Sequence, residues 1–212
     1  MDDYYSDSFY DGDSDSQTPN WSEKQWHDYL RKSELEVRRF AAAYAVNKLR
    51  GMELPEIAKI SGWAIPENDD SIYYEDDEPF AEFSEEPWTI FNHPVYIITR
   101  ALFRCLREYT GKLLQETGVS ADFAWNLAAA INEAASYMSG GVNCIDMGED
   151  LLARCNYKTA LFHLNNILAK LSDIPQPKSE QGRERLRRAN AVIFDLRQLS
   201  LDLSKKSTKK KI

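Results

Sequence analysis

From residue 21 onward apolar residues recur at intervals of three and four, the spacing of helices with one buried face. Trp26, Leu30, Val37, Phe40, Tyr44 and Leu49 form the first stripe, interrupted by Ser33. Ser22 with Gln25 matches a capping box and Gly51 a C-terminal stop, so a helix of about 28 residues, roughly 40 Å long, is predicted there. Pro55 opens a short helix through Ile60, and Gly62 ends it. Asn92 is the expected cap of the next long helix, with Pro94 in its first turn. Its stripe is Val95, Ile98, Leu102, Cys105 or Leu106, Tyr109 and Leu113, and Gly118 stops it. Ser120 caps a helix striped by Phe123, Leu127, Ile131, Ala134, Met138, Val142 and Ile145. Gly140-Gly141 looks like a break, yet the apolar phase passes through unchanged, so one helix is expected over 121–147. Mid-helix glycines cost about 1 kcal/mol each relative to alanine; their presence implies close approach of a neighbour. Tyr157, Leu161, Leu164, Leu168 and Leu171 stripe a helix over 149–172. After Pro175 and Pro177, Ser179 caps a last helix carrying Leu186, Ala189, Ile193, Leu196, Ser200 and Leu203. No run alternates with the period of a strand. Five long helices, joined in three places by short turns, predict an all-α antiparallel helical bundle.

Composition agrees with that fold and adds a charge layout. The chain has 212 residues, 43% hydrophobic and 28% charged, which suits one globular domain with tails and is too apolar for full disorder. No apolar run nears the roughly 20 residues that cross a bilayer. Met1-Asp2-Asp3 lacks the basic and apolar regions of a signal peptide, so neither a membrane span nor a leader is expected. The net charge of −8 is unevenly distributed. Residues 1–20 carry six acids and no base, and residues 61–92 carry ten acids and no lysine or arginine. Residues 178–212 carry eleven bases against four acids, and the remainder is close to neutral. The chain thus divides into a disordered acidic tail over 1–20, a helical bundle domain over 21–204 with an acidic aromatic connector over 62–92, and a basic tail over 205–212. Cys105, Cys144 and Cys155 lie in predicted helices without metal or redox spacing. They read as small buried hydrophobes in a reducing compartment, the cytoplasm.

Motifs for catalysis are missing from the pattern. There is no P-loop, no G-x-G-x-x-G, no G-x-S-x-G and no H-E-x-x-H. None of His27, His93 and His163 stands three residues after a glutamate, as a di-metal bundle site requires. Arg154 and His163 are too far apart for the Arg–His pair of bundle ribonucleases. No cofactor and no metal are expected, and the enzyme alternative reduces to a dispersed site between helices. The segment from Leu54 to Trp63, with Glu56-Ile57-Ala58 and Gly62, resembles the first half of a helix-turn-helix. That resemblance implies DNA binding, but Glu67, Asp69 and Asp70 stand where a recognition helix needs lysine or arginine.

Charge leaves two candidate surfaces. In the connector, Glu75, Asp76, Asp77 and Phe80, with Phe83 and Trp88 beyond, resemble the acidic aromatic tips that single-strand-binding proteins present to partners. Carboxylates would steer this segment to a basic groove, where its aromatics would fill a pocket. The second surface is arginine-rich. Arg100, Arg104 and Arg107 lie on one helical face, and Arg183, Arg185, Arg187 and Arg188 cluster at the start of the last helix. Positive charge there opposes the helix dipole, so a compensating anion, an acidic partner or the chain's own acids are expected beside it. The function expected is a non-enzymatic protein–protein interaction or adaptor module; the alternative is a nucleic-acid-associated protein with the last helix and the terminal lysines on phosphate.

Overall fold

Residues 21–65 and 89–206 are described by the computed structural model. The tails over 1–20 and 207–212 lie outside them, as do residues 66–88 of the connector. Among the described residues there are six helices and no strand: α1 (Glu23–Lys48), α2 (Leu54–Ile60), α3 (Pro94–Thr117), α4 (Ala121–Asp146), α5 (Asp150–Ser172) and α6 (Glu180–Lys206). A 3₁₀ turn at Ile90–Asn92 leads into α3.

Most ends follow the local chemistry anticipated from the sequence. Ser22 and Gln25 form the capping box of α1, Ser120 accepts from the Phe123 N–H, and Ser179 accepts from the Gly182 N–H at 2.8 Å. Gly118 closes α3 in the left-handed region, at φ +65°. At the start of α3 the expected cap is displaced by one residue. His93, not Asn92, occupies that position, and its Nδ1 accepts from the Val95 N–H at 3.2 Å. Pro94 sets this register, because its fixed φ suits the first helical position. Lys205 and Lys206, assigned to the basic tail by composition, complete the last turn of α6.

Helices α3 to α6 form a ring in which each packs on the next and α6 returns to α3. Short turns make successive members antiparallel. The anticipated stripes supply the core, including Leu102, Leu106, Leu127, Met138, Leu164 and Ile193, all essentially inaccessible. Ser200, polar in an apolar stripe, is buried because its hydroxyl donates to the Tyr157 carbonyl at 2.7 Å. Helix α1 packs on the outside of α3. It runs parallel to α3, as Ser33 meets Phe91 just before α3 while Ala41 meets Cys105 within it; the long connector permits this where a short turn would not. The buried face of α1 is Tyr29, Ser33, Val37, Phe40, Ala41 and Tyr44, with Leu30 and Leu49 exposed. Ser33 continues this face, its hydroxyl donating to the Phe91 carbonyl at 2.9 Å. The Glu-Ile-Ala segment belongs to α2, which buries Leu54, Ile57 and Ala58.

The helix through Gly140-Gly141 is unbroken, and the two glycines differ in purpose. A Cβ at 141 would overlap the ring of Tyr157 on α5, whereas one at 140 would meet Asn156 at an ordinary 3.6 Å. Tyr157 is fully buried and has no room to yield. Gly141→Ala should therefore destabilise the domain by about 2 kcal/mol, an overpacking loss of about 3 less a helix-propensity gain of about 1. Gly140→Ala should be neutral or stabilising by up to about 1 kcal/mol. Urea midpoints of the two variants check this; equal behaviour would show that close packing is not the reason for the pair.

Candidate functional site

The connector residues singled out by charge and aromaticity, Glu75, Asp76, Asp77, Phe80, Phe83 and Trp88, lie outside the described residues. The arginines are described, and the structure places them in two distinct settings.

At the start of α6 each arginine meets a carboxylate of its own chain. Arg183 donates from Nε and Nη2 to one oxygen of Glu180, at 3.1 and 2.7 Å. Arg187 and Arg188 share Glu184, at 2.7 and 2.8 Å. Arg185 reaches Glu116 at the end of α3, at 3.0 Å. Glu116 also accepts from the Ser179 hydroxyl. The conflict between positive charge and helix dipole is thus met by Glu180 in the first turn and by Glu116 from an antiparallel neighbour. Arg188 also lies over the Tyr109 ring, 5.9 Å from its centre.

On the outer face of α3 compensation is scarcer. Glu34 of α1 faces three guanidiniums at once: Arg104 at 3.0 Å, Arg38 at 3.1 Å and Arg100 at 3.5 Å. Arg107 has no carboxylate within ion-pair distance among the described residues. Its Nε and Nη2 both donate to the Asn132 side-chain oxygen of α4, at 3.2 and 3.1 Å. Arg100 and Arg107 open onto a cleft of about 340 Å³ between α3 and α4, which Phe103, Asn132, Ser136 and Ser139 also line.

Two features have no local signal in the sequence. Buried Asp195 of α6 accepts from the Tyr44 hydroxyl at 2.6 Å and from Lys48 Nζ at 3.0 Å, tying α6 to α1. The other is an apolar face on the α4–α5 hairpin. Met147, Leu151 and Leu152 gather at its turn, and Phe162 lies further along the outward side of α5; Met147 is 70% exposed and Phe162 67%. The Phe162 ring meets His163 edge-on, and His163 stacks on Tyr137 of α4, both at 5.4 Å between centres. His163 Nδ1 also lies 3.0 Å from the Glu133 carboxylate. These contacts join the outward aromatics of the two helices into one surface.

The cysteines fall out unequally. Cys105 and Cys144 are buried, but Cys155 is exposed on that same outward side of α5, against the expectation of a buried thiol. Ala153, Tyr157 and Ala160 form the inward stripe there, which turns residue 155 to solvent. Burial pushes the Cys105 thiol up to about 11 despite the neighbouring Arg104, so it is a packing group rather than a nucleophile. Among the described residues no cluster of His, Cys, Asp or Glu could hold a metal ion, and no helix is long and apolar enough to cross a membrane. The chain matches no protein-family model, no curated protein and no solved structure.

Proposed function

We propose that this chain is a non-enzymatic protein–protein interaction module of the cytoplasm, docking through the outward face of the α4–α5 hairpin onto an apolar surface of a partner protein. The observation that carries this reading is the concentration of large exposed apolar side chains on one hairpin: Met147, Leu151, Leu152, Phe162 and Tyr137. Single exposed hydrophobes are ordinary on any surface, but contiguous ones mark interaction sites. The acidic aromatic segment with Glu75, Asp76, Asp77, Phe80, Phe83 and Trp88 belongs to the same proposal as its charge-steered element. Binding of nucleic-acid phosphate through Arg183, Arg187 and Arg188 has less support, because each already faces a glutamate.

Cys155 provides the test. It lies between Leu151 and Phe162 on the outward side of α5, while the other two thiols are buried, so a maleimide reports on this face alone. Alkylation of the full chain should slow several-fold in an extract of its native cell relative to buffer. Leu151→Glu with Phe162→Glu should restore the buffer rate in extract while the helical circular dichroism is unchanged. An extract rate equal to the buffer rate, or slowing that persists in the double variant, would exclude this face as the docking surface.

A further inference from the structure

The α3–α4 cleft differs in chemistry from the hairpin surface. Arg38, Arg100, Arg104 and Arg107 have a single carboxylate, Glu34, between them among the described residues. Among the described residues, four guanidiniums thus have one carboxylate to share. Arg107 uses Nε and Nη2 on one neutral amide oxygen, and its Nη1 meets no acceptor among the described residues. Arg100 spends Nη1 on the Tyr96 hydroxyl, at 3.0 Å, and has only the 3.5 Å contact with the shared Glu34 for charge. The hydroxyls of Ser136 and Ser139 line the same space and make no hydrogen bond among the described residues. With its oxygen taken by Arg107, Asn132 has only its N–H₂ donors left to offer.

We propose that this cleft binds a phosphoryl group, carried by a small phosphorylated molecule or present as free inorganic phosphate. Among the described residues the lining supplies donors and positive charge but no carboxylate, which matches a ligand made only of acceptors. A phosphoryl group brings three terminal oxygens and up to two negative charges, so it serves both guanidiniums and the serine hydroxyls together. A volume of about 340 Å³ suits a small ligand rather than a polymer. The electrostatics agree: partial burial, and then the charge of Arg100, hold Arg107 below its ordinary value.

The test is thermal unfolding of the full chain at constant ionic strength, with inorganic phosphate, phenyl phosphate or a short single-stranded oligonucleotide added. Saturable increases in Tm with both phosphates are expected, since a ligand that binds only the folded state stabilises it. Arg107→Gln should weaken the apparent affinity by about tenfold or more, whereas Arg187→Gln, on α6, should leave it unchanged. Asn132→Asp supplies the missing carboxylate where Arg107 already donates; it should raise the Tm without ligand and remove the phosphate response. Tighter binding of phenyl phosphate assigns the site to a phosphorylated molecule, and equal binding assigns it to the free ion. The proposal is overturned if neither phosphate gives a saturable shift, if Arg107→Gln responds like the parent chain, or if only the oligonucleotide stabilises.

Discussion

Asp195→Ala should lower the stability of the domain by about 3–5 kcal/mol, the range found when one partner of a buried ion pair is removed. Its two oxygens accept from the Tyr44 hydroxyl, at 2.6 Å, and from Lys48 Nζ, at 3.0 Å. Truncation leaves a fully buried phenol and a largely buried ammonium without their acceptor. Lys48 retains only Glu53, at 3.4 Å and more exposed. Burial, followed by the charge of Asp195, pushes the Tyr44 phenol far above its ordinary value, so it stays a donor at any pH the fold tolerates. Tyr44→Phe alone removes the donor and should cost about 1 kcal/mol. In the double variant the losses should be less than additive, because the two residues share one interaction. Urea denaturation of the four proteins measures this; a loss below about 1 kcal/mol for Asp195→Ala would show that α1 is held by packing alone.

Acid should weaken the domain through His93. This side chain is buried at the start of α3, where neutral Nδ1 accepts the Val95 N–H. Protonation replaces that acceptor with a donor facing a donor. Burial accordingly lowers its pKa from 6.5 to about 4. The folded value lies below the unfolded one, so the unfolded chain takes up the proton first. The stabilisation is complete above about pH 6.5 and is lost as the pH falls toward about 4, to a total of about 3 kcal/mol. His93→Asn keeps a capping acceptor that does not titrate. Its stability should change with pH less steeply over this window than that of the parent chain, in chemical denaturation at fixed ionic strength. Parallel curves for the two proteins would exclude His93 as the titrating group.

The helices were legible because their signals are local. A capping serine, an apolar phase in steps of three and four, and a left-handed glycine each act within a few residues. That is why α4 could be carried through Gly140-Gly141, and why Ser22, Ser120 and Ser179 were recognised as caps. The N-terminal half of α1 was less clear. Leu30 is the more apolar choice, yet Tyr29 and Ser33 face inward because they meet Thr89 and the Phe91 carbonyl. Those partners are remote in sequence. The arginine stripes were visible as charge, but their partners Glu34, Glu116 and Asn132 come from other helices, and no spacing rule links them. The exposed side of α5 was hidden for a related reason. Leu151 and Phe162 are as apolar as the core stripe beside them, and only the packing of α4 and α6 decides which stripe turns inward.

The outer position of α1 has an entropic consequence. Gly141 and Tyr157, which join α4 to α5, are sixteen residues apart, whereas Tyr44 and Asp195 are separated by 151. Closing the longer loop costs about 2 kcal/mol more, since closure entropy grows with the logarithm of loop length. In the ring, α3–α4, α4–α5 and α5–α6 are neighbours along the chain and only the return of α6 to α3 closes over a long separation, while the Tyr44–Asp195 tie of α1 spans 151 residues. Lying outside the ring, α1 can open without unpacking α4 from α5. Its departure would bare the flank of α3 around Cys105 and carry Glu34 away from Arg100 and Arg104, so the charge on that flank is governed by how firmly the first helix is held.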